Sequence, residues 1–373
     1  MVTIKDRIAL LLAIKEKGKS VTFEHLYEKV SRDVKFLEGK ELSKEDVYKK
    51  LEEMVKEELA EKVENKFRAK EKVEEVVKNV FEKEKDSLNR SYLLVWIAKH
   101  YYQKAGKLML PFLKDRAVSA IKVFSGKRDP IHDINPIFIR YVKYKPKPIH
   151  LTINSIERLM ELVFDHCIDF IPYVHKLNAN EPDLFVLDLD AGSNILKHLK
   201  AFDYIKFVTY ELADMLEEHD ISNMIKFSGS RGFQIWVKFD NSKINGDKFK
   251  AYREIAQRIQ AKLEERLSEK RGEIRKEFKG IIKEGEPLTT STVAHKERRA
   301  NQILIDWSSM KPMGDVRAPL SIHYKTGLVS LPLTKNSLID FKPDDAEAFN
   351  VLEKLDKVND VVKLKVSSPE PFI

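Results

Sequence analysis

Leu184-Phe-Val-Leu-Asp-Leu-Asp190 is an apolar run that ends in two aspartates one residue apart. Such a run predicts a buried strand, and the period of two places Asp188 and Asp190 on one face. Two carboxylates about 4 Å apart repel by roughly 4 kcal/mol at an effective dielectric near 20. The pair is stable only with a cation, a proton or a base between them. A divalent metal is the usual answer when both point into a cleft. Taken alone, the D-x-D leaves a second reading open, a strand that runs out into the polar Ala191-Gly192-Ser193 loop.

Two later stretches bear on that choice. In Phe227-Ser-Gly-Ser-Arg-Gly-Phe-Gln-Ile-Trp-Val237, Gly229 and Gly232 sit with Ser228, Ser230 and Arg231 between strand-like runs. Glycines let backbone N–H groups approach phosphate oxygens, and Arg231 can pair with them directly; an ordinary hairpin turn favours the same residues. Further on, Ile303-Leu-Ile-Asp306 is another apolar run ending in a carboxylate, followed by Arg317, Ser321, His323 and Lys325, four groups able to bind a triphosphate. A lone histidine is more often packed than liganding, but His323 stands among basic and hydroxyl neighbours.

Outward from these stretches, strands are expected at Ile121–Phe124, Phe138–Tyr144, Leu184–Leu189, Ile225–Ser228, Phe233–Phe239 and Ile303–Ile305. Helices are expected at Ile153–Phe164, Ile195–Glu218 (broken) and Lys248–Glu269. The order suggests a mixed α/β or α+β catalytic domain over 88–345. The regular βαβ spacing and the G-x-G-x-x-G of a dinucleotide fold are missing. Residues 1–70 read as a module of three helices, the third opening on Ser43 and Asp46 in a capping pattern. A hairpin turning at Glu64-Asn65 follows, which together resembles a winged helix. Its third helix is net acidic, so protein contact or a structural role is as well supported as DNA reading. Residues 71–87 form a helical connector, with the domain boundary around Asp86–Arg90, and 346–373 a C-terminal helix and tail.

The net charge of +8 favours a polyanionic partner, although a solvated basic surface explains it as well. Lys143–Lys147 and Lys296–Arg299 are the basic clusters. Cys167 is the only cysteine, which excludes a disulfide within the chain and any zinc site built on several cysteines. The longest apolar run near the start, Ile8–Ile14, is too short to span a bilayer and is flanked closely by Asp6 and Lys15. An intracellular, cytoplasmic protein without membrane partners is expected.

In this order and spacing, Asp188-Leu-Asp190, the Ser228–Gln234 turn and the Asp306-to-Gly327 stretch resemble the archaeo-eukaryotic primase superfamily. Pro319-Leu-Ser-Ile-His-Tyr-Lys-Thr-Gly327 is similar to the sugar- and phosphate-contacting segment of the small catalytic subunit of cellular primase. Leu108-Met-Leu-Pro-Phe-Leu-Lys-Asp-Arg116 and Asp188-Leu-Asp-Ala-Gly192 are closer to the polymerase domain of bacterial ligase D. The resemblance covers about residues 98–335. It implies an α+β primase-polymerase catalytic domain, an αβ unit plus an RRM-like unit, and a template-directed nucleotidyltransferase, a DNA or RNA primase or a repair polymerase. It further implies Asp188, Asp190 and Asp306 as catalytic and metal-holding acids for two Mg or Mn ions. Ser228, Arg231, Gly232, Gln234, Arg317, Ser321 and His323 would bind the nucleotide. Expected partners are a DNA template or primer and nucleoside triphosphates, with a ligase or primase accessory subunit as a further one; no zinc is expected. The family's second motif normally ends in histidine where this chain has Gln234, which donates a hydrogen bond but carries no charge. That departure motivates a second reading, a catalytically reduced homologue acting as a nucleic-acid-binding adaptor. A metal nuclease is a third, but it leaves the triphosphate-binding segments without a purpose.

Overall fold

The structure is a computed structural model that describes residues 2–16, 18–84, 90–123, 136–179, 181–291 and 301–373. Most of the expected boundary at 86–90 and all of the 296–299 cluster lie outside the described residues. The chain divides into two compact units, one of residues 1–100, 121–138 and 160–168, the other of 101–120, 139–159 and 169–373.

In the first unit, helices Phe23–Glu38 and Lys44–Lys56 follow an N-terminal helix, Ile4–Leu10, that continues as a π-helical stretch to Lys15. The Ser43 hydroxyl accepts the Asp46 N–H at 3.0 Å, the capping contact expected there. Ala60–Val63 and Lys66–Ala69 pair as a hairpin about Glu64 and Asn65, and Val21–Thr22 adds a third strand. Ile8, Leu11, Leu12, Leu26, Val30, Val47, Leu51 and Met54 form the apolar interior, spaced as an amphipathic helix requires.

The second unit is built on a seven-stranded sheet. Its strands lie in the order Thr289–Ser291, Ile303–Asp306, Phe185–Ala191, Phe233–Phe239, Asn223–Phe227, Pro332–Leu333, with Val366–Ser367 beside Lys238 and Phe239. The four strands from Ile303–Asp306 to Asn223–Phe227 are antiparallel to one another, and Thr289–Ser291 runs parallel to Ile303–Asp306. Ala201–Glu218 packs on this sheet with Tyr204, Ile205, Val208 and Leu212 buried, and the break expected upstream is a short 3-10 turn at Ile195–Lys197. Lys248–Glu269 spans the residues expected, capped by Asp247, which accepts the N–H groups of Phe249 and Lys250. The Phe185–Ala191 strand runs two residues past the expected end, so both of its acids lie within the sheet. The Phe138–Tyr144 stretch is two short strands, Ile137–Ile139 and Tyr141–Lys143. Val118–Lys122, Ile137–Ile139 and Cys167–Pro172 are further strands, each with residues in both units. The strand at Cys167–Pro172 was not expected, nor was the pairing of the tail with the main sheet.

One carboxylate pins the far edge of the main sheet. Glu264 accepts the N–H of Leu288 at 2.8 Å, and the N–H and hydroxyl of Thr289 at 2.7 Å each. Glu264→Ala leaves those donors without an acceptor and should cost about 2 kcal/mol. Urea titration checks this, and an unchanged midpoint would refute it.

Candidate active site

The strand register brings the predicted acids together. Asp188 lies directly opposite Asp306 on one side and opposite Gln234 on the other, and Gln234 lies opposite Lys226. Directly opposed residues of antiparallel strands share a face. Lys226, Gln234, Asp188 and Asp306 therefore form one row across four strands. Asp190, two residues beyond Asp188, is on the same face. All three aspartates are half-buried.

Like charges in such a row raise one another's proton affinity. Burial first, then the charges of Asp190 and Asp306, push the Asp188 carboxyl up to about 7, against the opposing pull of Lys226 and a hydrogen bond from Gln234. Among the described residues no group of three or more His, Cys, Asp or Glu side chains is closed around a metal position. The acids are instead a row of negative charge with oxygen donors only, a donor set suited to a hard divalent cation.

The Ser228–Gly232 turn abuts this row. A Cβ on Gly232 would stand 2.3 Å from the Leu189 carbonyl oxygen and 2.7 Å from Asp190 Oδ1, so only glycine fits. Gly229 has a left-handed φ of 87°, and a Cβ there would meet His323 Cβ at 2.9 Å. Inside the turn the Ser228 hydroxyl accepts the N–H groups of Ser230 and Gly232 at 3.4 and 3.3 Å. Among the described residues the N–H groups of Gly229 and Arg231 meet no protein acceptor, and Arg231 is exposed. Backbone N–H groups without a protein acceptor beside an exposed arginine are the elements of an anion cradle.

The remaining predicted residues divide between the site and its support. Arg317 forks onto Asp169, with Nε and Nη2 at 2.8 and 2.9 Å from its two oxygens, and donates Nη1 to the Ser228 carbonyl at 3.2 Å. Burial works against the Arg317 charge, but Asp169 outweighs it and holds the guanidinium above its ordinary value. His323 Nδ1 faces the N–H groups of Lys325 and Thr326 at 3.2 and 3.3 Å, so its proton sits on Nε2. Burial, then the charge of Arg317, lower the His323 imidazole to about 4. Ser321 is fully buried: its hydroxyl serves the Phe170 N–H at 2.8 Å and Asp169 at 3.2 Å and does not face the turn. Gln234 is also inside, 5% exposed, with its Oε1 accepting the Trp236 indole N–H at 3.1 Å. It thus ties Asp188 to the aromatic interior.

Three buried positions in contact with the candidate site escaped sequence reading. Asp169, Lys226 and Trp236 are buried beneath the site. The available signals were one acid within Cys167-Ile-Asp-Phe-Ile171 and one lysine within Met224-Ile-Lys-Phe227. A charge interrupting an apolar strand is bound to find a partner inside.

The family model described as LigD, primase-polymerase domain, matches residues 98–280. That span holds Asp188, Asp190 and the glycine turn but stops short of Asp306, Arg317 and His323, which join them here through sheet register and hydrogen bonds. No curated protein matches the chain. Among solved structures, the polymerase domain from Mycobacterium tuberculosis Ligase D in complex with DNA is similar in fold. The identity is 18%, the TM-score 0.54, and the match covers 70% of this chain and 88% of that one.

The acid row has a pH signature in metal-free protein. The Asp188 carboxyl titrates near 7 in the folded chain, against an ordinary value of 3.8, so the folded state binds its proton more tightly than the unfolded state. Stability is therefore lost as pH rises from about 4 to 7, and the full loss persists above 7. In chelator, Asp188→Asn should be more stable than the parent at pH 8 by on the order of 1 kcal/mol, a value kept small because solvent reaches the group. The difference should vanish near pH 4. Thermal melts across this range test it, and a variant less stable at pH 8 would contradict the clustering of charge.

Proposed function

From the premise that residues 98–280 belong to the primase-polymerase superfamily, on its LigD side, we propose that this chain is a template-directed nucleotidyltransferase. One observation carries the reading: the Ser228–Gly232 turn is packed against the Asp190 carboxylate so closely that Gly232 admits no side chain. Phosphate-binding N–H groups and cation-binding acids are thereby contiguous, as the transfer of a nucleotidyl group requires.

In the reaction, the 3′-hydroxyl oxygen of a primer forms a bond to the α-phosphorus while the bond from that phosphorus to the bridging oxygen breaks and pyrophosphate leaves. Two divalent ions, Mg or Mn, held by Asp188, Asp190 and Asp306, would supply charge for activating the hydroxyl and for stabilising the leaving group. The chain's own groups set the geometry. Gly229 and Arg231 offer backbone N–H groups to the triphosphate, and the exposed Arg231 guanidinium offers a fork. Ser228 holds the turn closed from within. Arg317, anchored on Asp169, fixes the turn from behind and adds its charge beneath the phosphates. His323 offers a neutral Nε2–H donor from the opposite side. Ser321 acts through Asp169, and Gln234 acts by holding Asp188. The template would lie on the exposed Arg140, Lys143, Lys145 and Lys147, where Tyr141 and Tyr144 stand edge to face at 5.2 Å. The adaptor reading drew on Gln234 in the place of a histidine. Its bond to Trp236 and its contact with Asp188 give the glutamine a purpose within a complete acid row.

Purified protein should extend a primed template with Mn or Mg and nucleotides. A primed gap with a 5′-phosphate and an unprimed strand, each with both nucleotide types, would distinguish repair synthesis from priming. The double change Asp188→Ala and Asp190→Ala should lower extension about a thousandfold or more at an unchanged fold. Activity surviving it sinks the metal assignment, and DNA binding without any extension by the parent favours the adaptor. A second outcome follows from His323, whose imidazole titrates near 4: it is neutral from pH 6 to 8. The nucleotide KM should therefore show no step near pH 6.5 that His323→Asn abolishes; such a step would refute the neutral-donor role.

A further inference from the structure

Lys226 has no exposed surface at all, on a strand flanked by Phe233–Phe239 and Pro332–Leu333. Its Nζ donates to the Arg317 carbonyl at 2.7 Å and to the Ser330 hydroxyl at 2.8 Å, and lies 5.0 Å from the centre of the Trp236 ring. The Lys226 amine is thus satisfied by two acceptors and a ring face, although burial holds it well below its ordinary basicity. Ser330 passes its own proton to the Phe227 carbonyl at 3.1 Å. Arg317, whose backbone Lys226 holds, donates to the Ser228 carbonyl, and Thr326 donates to the carbonyl of Gly229. Three successive carbonyls entering the glycine turn are therefore held from one side. Two of their three donors, Ser330 and Arg317, are themselves fastened by Lys226.

A lysine is a poor choice for this place on stability grounds alone. An apolar side chain of similar length would avoid taking a charge out of water, and such replacements are often neutral or stabilising. What an apolar chain cannot do is hold two acceptors on different segments at fixed separation. With those carbonyls occupied, the N–H groups of Gly229 and Arg231 are the turn's donors that meet no protein acceptor among the described residues.

We infer that Lys226 is a positioning residue for nucleotide binding, which orients the Ser228–Gly232 turn by fastening the Arg317 backbone and the Ser330 hydroxyl. The inference rests on the nucleotidyltransferase reading, and its test separates the two.

Steady-state extension of a primed template is measured at saturating Mn for the parent, Lys226→Met, Ser330→Ala, Arg317→Lys and the double change of Lys226→Met with Arg317→Lys, with a thermal melt of each. Lys226→Met should melt no lower than the parent, raise the nucleotide KM about tenfold, as expected for losing one or two hydrogen bonds, and change kcat less than about threefold. Ser330→Ala should move KM in the same direction by about threefold. Because Lys226 acts in part through Arg317, the double variant should raise KM by less than the product of the two single effects. A parent-like KM for Lys226→Met, or effects that multiply in the double variant, overturns the inference. Should Lys226→Met fail to fold, Ser330→Ala decides: a raised KM supports the role and an unchanged one refutes it. Should the parent extend nothing, the nucleotidyltransferase reading fails by itself. Calorimetric binding of a nucleotide with Mn to the same variants then decides the role of Lys226 on the Kd, by the same criteria.

Discussion

The centre of this molecule is a repulsion. Asp188 and Asp306 are directly opposed on neighbouring strands, with Asp190 on the same face, and like charges so placed weaken a sheet. What surrounds them limits that cost without removing it. On the far side of Asp188 the row continues through Gln234, a hydrogen-bond donor, to Lys226, whose amine burial holds well below its ordinary basicity. The two lower the proton affinity of Asp188, but burial and the neighbouring acids outweigh them. An excess of negative charge is built into the sheet, and a divalent cation is the partner best able to relieve it.

A second constraint follows from the first. If anions are to approach a row of acids, the turn that receives them must expose N–H groups and hide carbonyls. That orientation is imposed by donors behind the turn, Ser330, Arg317 and Thr326. Arg317 is held in turn by the buried Asp169, which also accepts from Ser321 and from the Tyr324 N–H. Of the residues expected at the turn, Arg231 is exposed, whereas Ser321 and Gln234 are committed inward. The site is thus a thin layer of ligand-facing groups over a polar network that sets their direction.

Much of this was legible in the chain. Alternation placed Asp188 and Asp190 on one face, and apolar runs located the strands at Phe233–Phe239 and Ile303–Asp306 and the helix at Lys248–Glu269. The Glu64-Asn65 hairpin and the Ser43 cap followed from local turn and capping chemistry. Elements without a local pattern were not found. Val366–Ser367 and Pro332–Leu333 are two-residue strands defined only by what they pair with. Cys167–Pro172 is buried on both faces, so no alternation announces it.

By itself, then, the sequence determined the strand faces, the positions of the acids along each strand and the glycines of the turn, because these depend on residues within a few positions of one another. Only the tertiary structure decided that Asp306 stands opposite Asp188 and that Gln234 bridges Asp188 to Trp236. It likewise decided that Lys226 and Asp169, unremarkable in the chain, hold the arginine behind the turn. Register and buried pairing join segments far apart in the chain, such as Asp169 and Arg317, 148 positions from one another. No local preference encodes which partner such a residue will meet; that is selected when the sheet closes and each buried charge must find its complement.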